Sequence, residues 1–273
     1  METPPPRARD SASLDDTPTS TTERVARVLL AFAGASSPLG VTEIARRVGL
    51  SKAVVHRLLQ TLVSTEFVSY SAATRRYTIG PAALSLGQRA SAQSELRTVG
   101  LPIIARLADD SGESTTLSAR VGHRRVYIGQ VESSQPIRIT IVPGQQVSLA
   151  VGSSSMCILA HLTERDVDIV LSRPIPPATE RTAVDPALIR RRLAQVREQG
   201  FAVTEGERVP ESIGIAAPIF DAFDEVAGAL SIACLASRTD ERRLAELIPL
   251  VTQAAADISR DLRQLQAGRP HLG

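Results

Sequence analysis

Lysine is nearly absent from this chain: among 273 residues there are thirty arginines and one lysine, Lys52. We read that scarcity as compositional bias and give it no functional weight; where the single lysine falls is more informative. Cysteine is scarce too. Cys157 and Cys234 lie far apart and match no zinc or redox spacing, so both read as small buried hydrophobes. The four histidines, His56, His123, His161 and His271, form no metal-ligand motif. No metal or other cofactor is expected. No apolar run approaches the ~18 residues that would mark a membrane-crossing helix, and the N-terminus lacks an apolar signal core. These features lead to the expectation of a cytoplasmic protein with no membrane partner.

An apolar fraction of 43% is enough for real cores, and the length permits one large domain or two ordinary ones. Residues 1–20 are rich in Pro, Ser, Thr and Asp and read as a disordered tail. The net charge of +2 hides an asymmetry. Residues 1–20 carry −2 and residues 91–273 carry −2. Residues 21–90 hold eight arginines and Lys52 against Glu23, Glu43 and Glu66, a net +6. A polyanion is the partner such a segment suits.

Within it, Val25, Val28, Leu29, Ala31 and Phe32 recur at helical spacing over 21–33, and GASSPLG then breaks the chain. A second helix is predicted over 42–48 with Ile44, Ala45 and Val48 inward. Gly49-Leu50-Ser51 makes the turn, with Ser51 as N-cap. A third is predicted over 52–65 with Val54, Val55, Leu58, Leu59 and Leu62 buried. FVSYSAATRRYTIG alternates as two short strands with a basic tip. Three helices and a hairpin make a winged helix-turn-helix. Its third helix leaves Ser51, Lys52, Ala53, His56, Arg57, Gln60 and Thr61 facing out, the set that would enter a major groove. Arg46 and Arg47 suit backbone phosphates, and Arg75 and Arg76 at the wing suit phosphates or the minor groove.

Helix signals resume at Pro81, with a connecting helix and another after Pro102 that Gly112 ends. The rest mixes strands and helices: a hairpin about Gly122-His123, a strand IRITIV, a short helix GSSSMCILAHL, and a helix opened by Asp185-Pro186 and stopped at Gly200. Strands FAVTEGE, IGIAAPIF and EVAGALSIACL follow, the last two joined around Asp221–Glu225, before a final helix capped near Thr239 or Asp240. This order describes an α+β domain, an antiparallel sheet flanked by helices.

The blocks LGVTEIARRVGLSKAVVHRLLQTL, RRYTIGPAALSLG, PGQQVSLAVGSSSMCILA, REQGFAVTEGE and IGIAAPIFDAFDEVAGALSI, in this order over residues 21–266, resemble the isocitrate lyase regulator (IclR) family of bacterial transcription factors. The resemblance implies a winged helix-turn-helix domain at 21–82, a linker helix at 83–98 and a GAF-like effector domain at 99–267, with a short tail at 268–273. It also implies a homodimer or homotetramer on a pseudo-palindromic double-stranded operator, more often as a repressor. Its effector would be a small metabolite, an organic acid or an aromatic compound. Matching the family places ligand contacts at Ser153 and Ser154, at Thr204 and Glu205, at Gly214, and at Ser231, Ile232 and Ala233. The chain departs from the family where Glu66, Ala150, Ser155-Met156 and Gly214 stand for the more usual Gly, His, Gly-Lys and Cys.

From the residues themselves, helix-start amides plus the hydroxyls of Ser153, Ser154 and Ser155 suit a carboxylate. Strand alternation puts Ala227, Ala229, Ser231 and Ala233 on one face with room beside them. Glu205 would repel an anion unless protonated or turned away, so a neutral ligand fits these residues as well. Two rival readings stand beside the regulator. One is an acyl-transfer enzyme using Cys157 and His161, four apart on a helix, although no G-x-S-x-G elbow is present. The other is a winged-helix module that only mediates assembly.

Overall fold

The computed structural model describes residues 20–33, 35, 37–92 and 94–267; residues 1–19 of the expected N-terminal tail, the expected tail at 268–273, and part of the GASSPLG break lie outside this set. The chain divides into two compact units, the first ending at Leu86 and the second beginning at Gly87.

The first unit contains α1 (Thr21–Ala33), α2 (Val41–Val48), α3 (Lys52–Ser64), β1 (Val68–Ser71) and β2 (Arg76–Ile79). Its core is the set the helical spacing predicts. Val28, Ile44, Val55 and Leu59 are fully buried, joined by Phe32, Ala45, Val48, Leu58 and Leu62. Val25, Leu29, Ala31 and Val54 of that set are only partly buried at its edge, and Leu39, Val68 and Tyr77 complete the core. Gly49 takes the left-handed conformation at φ 69° and its amide caps α2 on the Ala45 carbonyl, which turns the chain between the two helices. Ser51 Oγ accepts from the Val54 amide and starts α3. The wing is an antiparallel pair running from Val68 opposite Ile79 to Ser71 opposite Arg76. Leu39 adds a short third edge, exchanging both backbone hydrogen bonds with Tyr77.

The entry to this wing is left-handed at a residue other than glycine: Glu66 has φ 59°. The adjacent chain accounts for why the turn must be tight there. A Cβ on Gly80 would lie 2.2 Å from the Glu66 carbonyl oxygen, and that oxygen accepts from the Ala82 amide.

α4 (Pro81–Ala92) spans the division between the units. The second unit is built on a six-stranded sheet, wholly antiparallel, in the order β5-β4-β3-β8-β7-β6. The strands are β3 (Ser114–Val121), β4 (Arg124–Val131), β5 (Gln146–Ser148), β6 (Ala202–Glu205), β7 (Ser212–Phe220) and β8 (Val226–Leu235). α5 (Glu95–Ser111) and α9 (Glu241–Ala267) cover one face, around Ile104, Leu117, Ile215, Leu230, Ile232 and Leu247. α6 (Ser153–Ala160), α7 (Glu164–Leu171) and α8 (Pro186–Gln199) cover the other, around Met156, Leu159, Ile189, Ala216 and Ala229. The expected punctuation of α8 is present: Asp185 accepts from the Ala187 and Leu188 amides, and Gly200 closes the helix at φ 80°. Asp240 rather than Thr239 caps α9, accepting from the Arg243 amide.

Four expectations change. The helix placed after Pro102 starts earlier, at Glu95, because Ser94 caps it and Pro102 is accommodated inside. β5 and α7 were not anticipated. IRITIV is not a strand: residues 137–142 run as loop, and the side chain of Gln130 stands in for a ladder by accepting from the Ile141 amide and donating to the Ile139 carbonyl. The face assigned to β8 holds for Ala229, Ser231 and Ala233 but not for Ala227. A bulge at Ile219/Phe220 pairs Phe220 with Val226 and Ile219 with Gly228, so Ala227 packs with the α5–α9 core and Val226 with the opposite one.

Candidate nucleic-acid interface and ligand pocket

On α3 the buried stripe fixes the outward face, and Ser51, Lys52, Ala53, His56, Arg57, Gln60 and Thr61 are all exposed. The cations of this unit fall into two groups. Arg47 pairs with Glu43 at 2.7 Å and also donates to the Ala31 carbonyl. Arg76 donates to the Pro38 carbonyl at 2.7 Å and lies 3.9 Å from Glu43. By contrast, Arg46, Lys52, Arg57 and Arg75 are exposed and make no ion pair with the described residues. Arg75 sits in the wing turn with φ 54°, ahead of Arg76, which is the first residue of β2. The freely presented positive charge is therefore carried by one residue of α2, two of α3 and one of the wing turn.

The second unit holds a cavity of about 270 Å³ between the α6 end of the sheet and the 139–145 loop. Of the ligand positions expected from the sequence, Ser153, Ser154, Thr204, Gly214, Ser231, Ile232 and Ala233 border it. Ile232 does so from the strand backbone, its fully buried side chain belonging to the α5–α9 core. Glu205 does not border it. Strand pleating turns Glu205 away from Thr204, and its carboxylate pairs with Arg181 on an exposed surface.

The carboxylate that does border the cavity is Glu207, two residues on and almost wholly buried. It accepts from the Gly152 amide at 3.0 Å and pairs with Arg192. The Ser153 amide is likewise taken, by Thr204 Oγ1 at 3.1 Å. The helix-start amides expected to be open are thus half occupied by the protein itself. Ser155 is also committed: its hydroxyl donates to the Ser148 carbonyl and accepts from Arg125. At Gly214 an added Cβ would meet Ser153 Oγ at 2.7 Å and Thr204 Oγ1 at 3.4 Å, so the missing side chain is what keeps this corner open.

Arg125 was not expected at the site. It is 1% exposed and lines the cavity. Its guanidinium donates to Ser155 Oγ at 2.8 Å, Ser118 Oγ at 2.9 Å and Tyr127 Oη at 3.0 Å. It also lies 4.4 Å from the Tyr127 ring centroid. Burial pulls its pKa below the ordinary arginine value; Tyr127 opposes the shift and the nearby Arg208 adds to it. Arg208, half-buried, stands 5.5 Å from the same ring and also borders the cavity. A hydroxyl pair, Thr116 Oγ1 with Ser231 Oγ at 2.6 Å, adds to the polar lining, while Ile139, Val142, Val209 and Ile213 supply apolar wall. Arg125 was legible in principle, because it shares strand parity with buried Tyr127.

Cys157 and His161 do not form a nucleophile–base pair. The thiol donates to the Ala216 carbonyl at 3.2 Å and burial pushes its pKa well up, whereas His161 Nδ1 sits 2.9 Å from the Cys157 carbonyl oxygen. A protonated, enclosed thiol is a poor nucleophile. Among the described residues there is no cluster of His, Cys, Asp and Glu able to hold a metal ion, and no helix is long and apolar enough to cross a membrane.

Comparison with known proteins agrees in both units. The family model described as IclR helix-turn-helix domain matches residues 21–72, and that described as bacterial transcriptional regulator IclR C-terminal matches residues 88–260. The HTH-type transcriptional regulator BhcR of Paracoccus denitrificans is 31% identical over 85% of this chain and 83% of its own. The transcriptional repressor IclR of Escherichia coli is 27% identical over 84% of each. Among solved structures, an IclR transcriptional regulator from Alicyclobacillus acidocaldarius aligns with a TM-score of 0.75 at 30% identity, covering 87% of this chain and 96% of that one. An IclR homologue from Microbacterium hydrocarbonoxydans, complexed with 4-hydroxybenzoate, aligns with a TM-score of 0.73 at 25% identity over 90% of this chain and 100% of that one.

Proposed function

The chain belongs to the IclR family of bacterial transcriptional regulators, and from that premise we propose that α3 reads an operator whose occupancy is set by a small molecule in the Arg125 cavity. It is a ligand-responsive DNA-binding regulator. We assign it as a repressor acting in the cytoplasm, with no catalytic step, in keeping with the repressors it is similar to.

The observation that carries the DNA half is the face of α3. A core of Val55, Leu58, Leu59 and Leu62 leaves two unpaired cations, His56 and Gln60 outward beside small Ser51 and Ala53. Small residues allow the helix start to approach base edges, and the longer ones reach them. Arg46 and Arg75 would hold phosphates on either side, with Arg47 and Arg76 in support. Two such helices in a homodimer, or in each dimer of a homotetramer, would meet half-sites about one helical turn apart. The effector, an organic acid or an aromatic metabolite, would act by binding one arrangement of the two helices better than the other, with a coupling of about 1–3 kcal/mol. The Microbacterium homologue's 4-hydroxybenzoate is both acid and aromatic, which supports this class.

The test is fluorescence anisotropy of the protein on its own upstream DNA, titrated with salt and then with acids and aromatic compounds. Saturable, sequence-selective binding that falls steeply with salt and is shifted by one compound is the expected result. Arg57→Ala should weaken specific binding by about 1–3 kcal/mol. Selective binding absent across the salt range, on that DNA and on a random-site library, would leave the assembly module as the better reading.

A further inference from the structure

The cavity contains a charge imbalance. Glu207 is already balanced by Arg192 and the Gly152 amide, and Glu205 points away to Arg181. Arg125 and Arg208 therefore border the cavity with no carboxylate partner among the described residues. For Arg208, half-buried, that is a small matter. For Arg125 it is not. A guanidinium keeps its charge inside a protein, and a buried ion without a counter-charge is several kcal/mol less favourable than one in water. Hydroxyls of Ser118, Ser155 and Tyr127 take three of its five N–H groups. They orient the cation without neutralising it.

We infer that Arg125 and Arg208 form a two-cation clamp across the Tyr127 ring and that the effector is a small dicarboxylate. The inference rests on the cavity being the effector site. One carboxylate meets Arg125 near the Thr116–Ser231 hydroxyl pair. The second meets Arg208, whose stem lies over the start of α6: a Cβ on Gly152 would be 3.0 Å from Arg208 Cδ. The guanidinium carbons of Arg125 and Arg208 lie 4.4 Å and 5.5 Å from one ring centroid, so the two are no more than about 10 Å apart, within reach of a short diacid with one carboxylate on each. The apolar wall accommodates the carbon chain between the two ends.

Calorimetry on the full chain tests this with succinate, glutarate and isophthalate, each beside its monoacid (butyrate, pentanoate, benzoate) and its diamide. At least one diacid should bind at millimolar concentration or better. Its monoacid should bind about tenfold or more weakly, as loss of one charged hydrogen-bonded group implies, and the diamide not measurably. Arg208→Ala should make the diacid no better than its monoacid. Arg125→Met should abolish acid binding, with a cooperative thermal transition as the check that the variant is folded. Equal binding of mono- and diacids, binding of the diamides, or no binding of any acid overturns the clamp. Release of DNA by a neutral compound would refute the clamp and leave the regulator reading intact. Absence of selective DNA binding would sink the regulator reading, with the calorimetry still deciding the clamp.

Discussion

Arg46 and Arg47 are neighbours in sequence and both exposed, yet removal of each should have a different effect on DNA binding. Arg47 is held by Glu43 and the Ala31 carbonyl; Arg46 has no such partner among the described residues. With Arg46, Lys52 and Arg75 each neutralising one phosphate while Arg57 reads a base, two protomers would release about six counterions, and log Kobs would fall against log salt with a slope of about −5. Arg46→Ala or Arg75→Ala removes one contact per protomer and flattens that slope by about 1.8. Raising salt fourfold then weakens the variant about tenfold less than the wild type. Arg47→Ala should leave the slope within about 0.5 of wild type. Its effect appears instead in stability, as loss of a half-exposed i,i+4 pair contributing about 0.3–0.5 kcal/mol. Anisotropy titrations at several salt concentrations, with chemical unfolding alongside, measure both. A slope change in Arg47→Ala equal to that in Arg46→Ala would refute the reasoning, because it would mean that pairing in the free protein does not decide which cations meet phosphate.

Three further outcomes follow from local geometry. Glu66→Gly should stabilise the first unit by about 0.5–1 kcal/mol, since the left-handed φ disfavours a side chain by more than glycine's extra unfolded-state freedom offsets; Gly80→Ala should destabilise it by about 1–3 kcal/mol, its Cβ meeting backbone. Denaturant midpoints that do not move apart would contradict both. Gly214→Val should leave the second unit folded but fill the Ser153–Thr204 corner, so DNA binding would persist without response to the effector; an unchanged response would place the ligand elsewhere. The hydrogen bond from His123, with a second from Thr163, lowers the Asp166 pKa. A group lowered in this way stabilises fully above its unfolded value of about 3.9 and loses that contribution as pH falls through the lower folded value. The stability deficit of Asp166→Asn should accordingly be present at neutral pH and vanish in acid; a deficit that persists at the lowest pH would assign it to packing.

Legibility in the sequence followed the strength of the local signal. α2, its glycine turn and α3 could be read because short-range periodicity, an N-cap and a glycine all marked the same boundaries, and their core is local. The pocket was legible only where residue type and strand parity agreed. Glu205 and Glu207 look alike in the string, and pleating plus the chain's turn at Gly206 decides that the second one faces inward. Arg125 was overlooked because arginine in a strand reads as solvent-facing, although Tyr127 shares its parity. The bulge that moves Ala227 to the other face, and the Gln130 side chain that stands in for a strand partner along 139–141, are set by contacts distant in sequence. Periodicity carries no record of either.

Lys52 has a further consequence, for chemistry done on the protein rather than by it. Because it is the chain's single lysine, its ε-amine is the one side-chain amine open to acylating reagents, and it is exposed on the face of α3 proposed to meet DNA. Acylation there removes a charge from that face. Coupling the protein to a surface or dye through amines would therefore inactivate the molecules it labels at that position, and bound operator should shield them from the reagent. The same bias that leaves one lysine in the chain makes the face proposed to meet DNA addressable through a single side-chain amine.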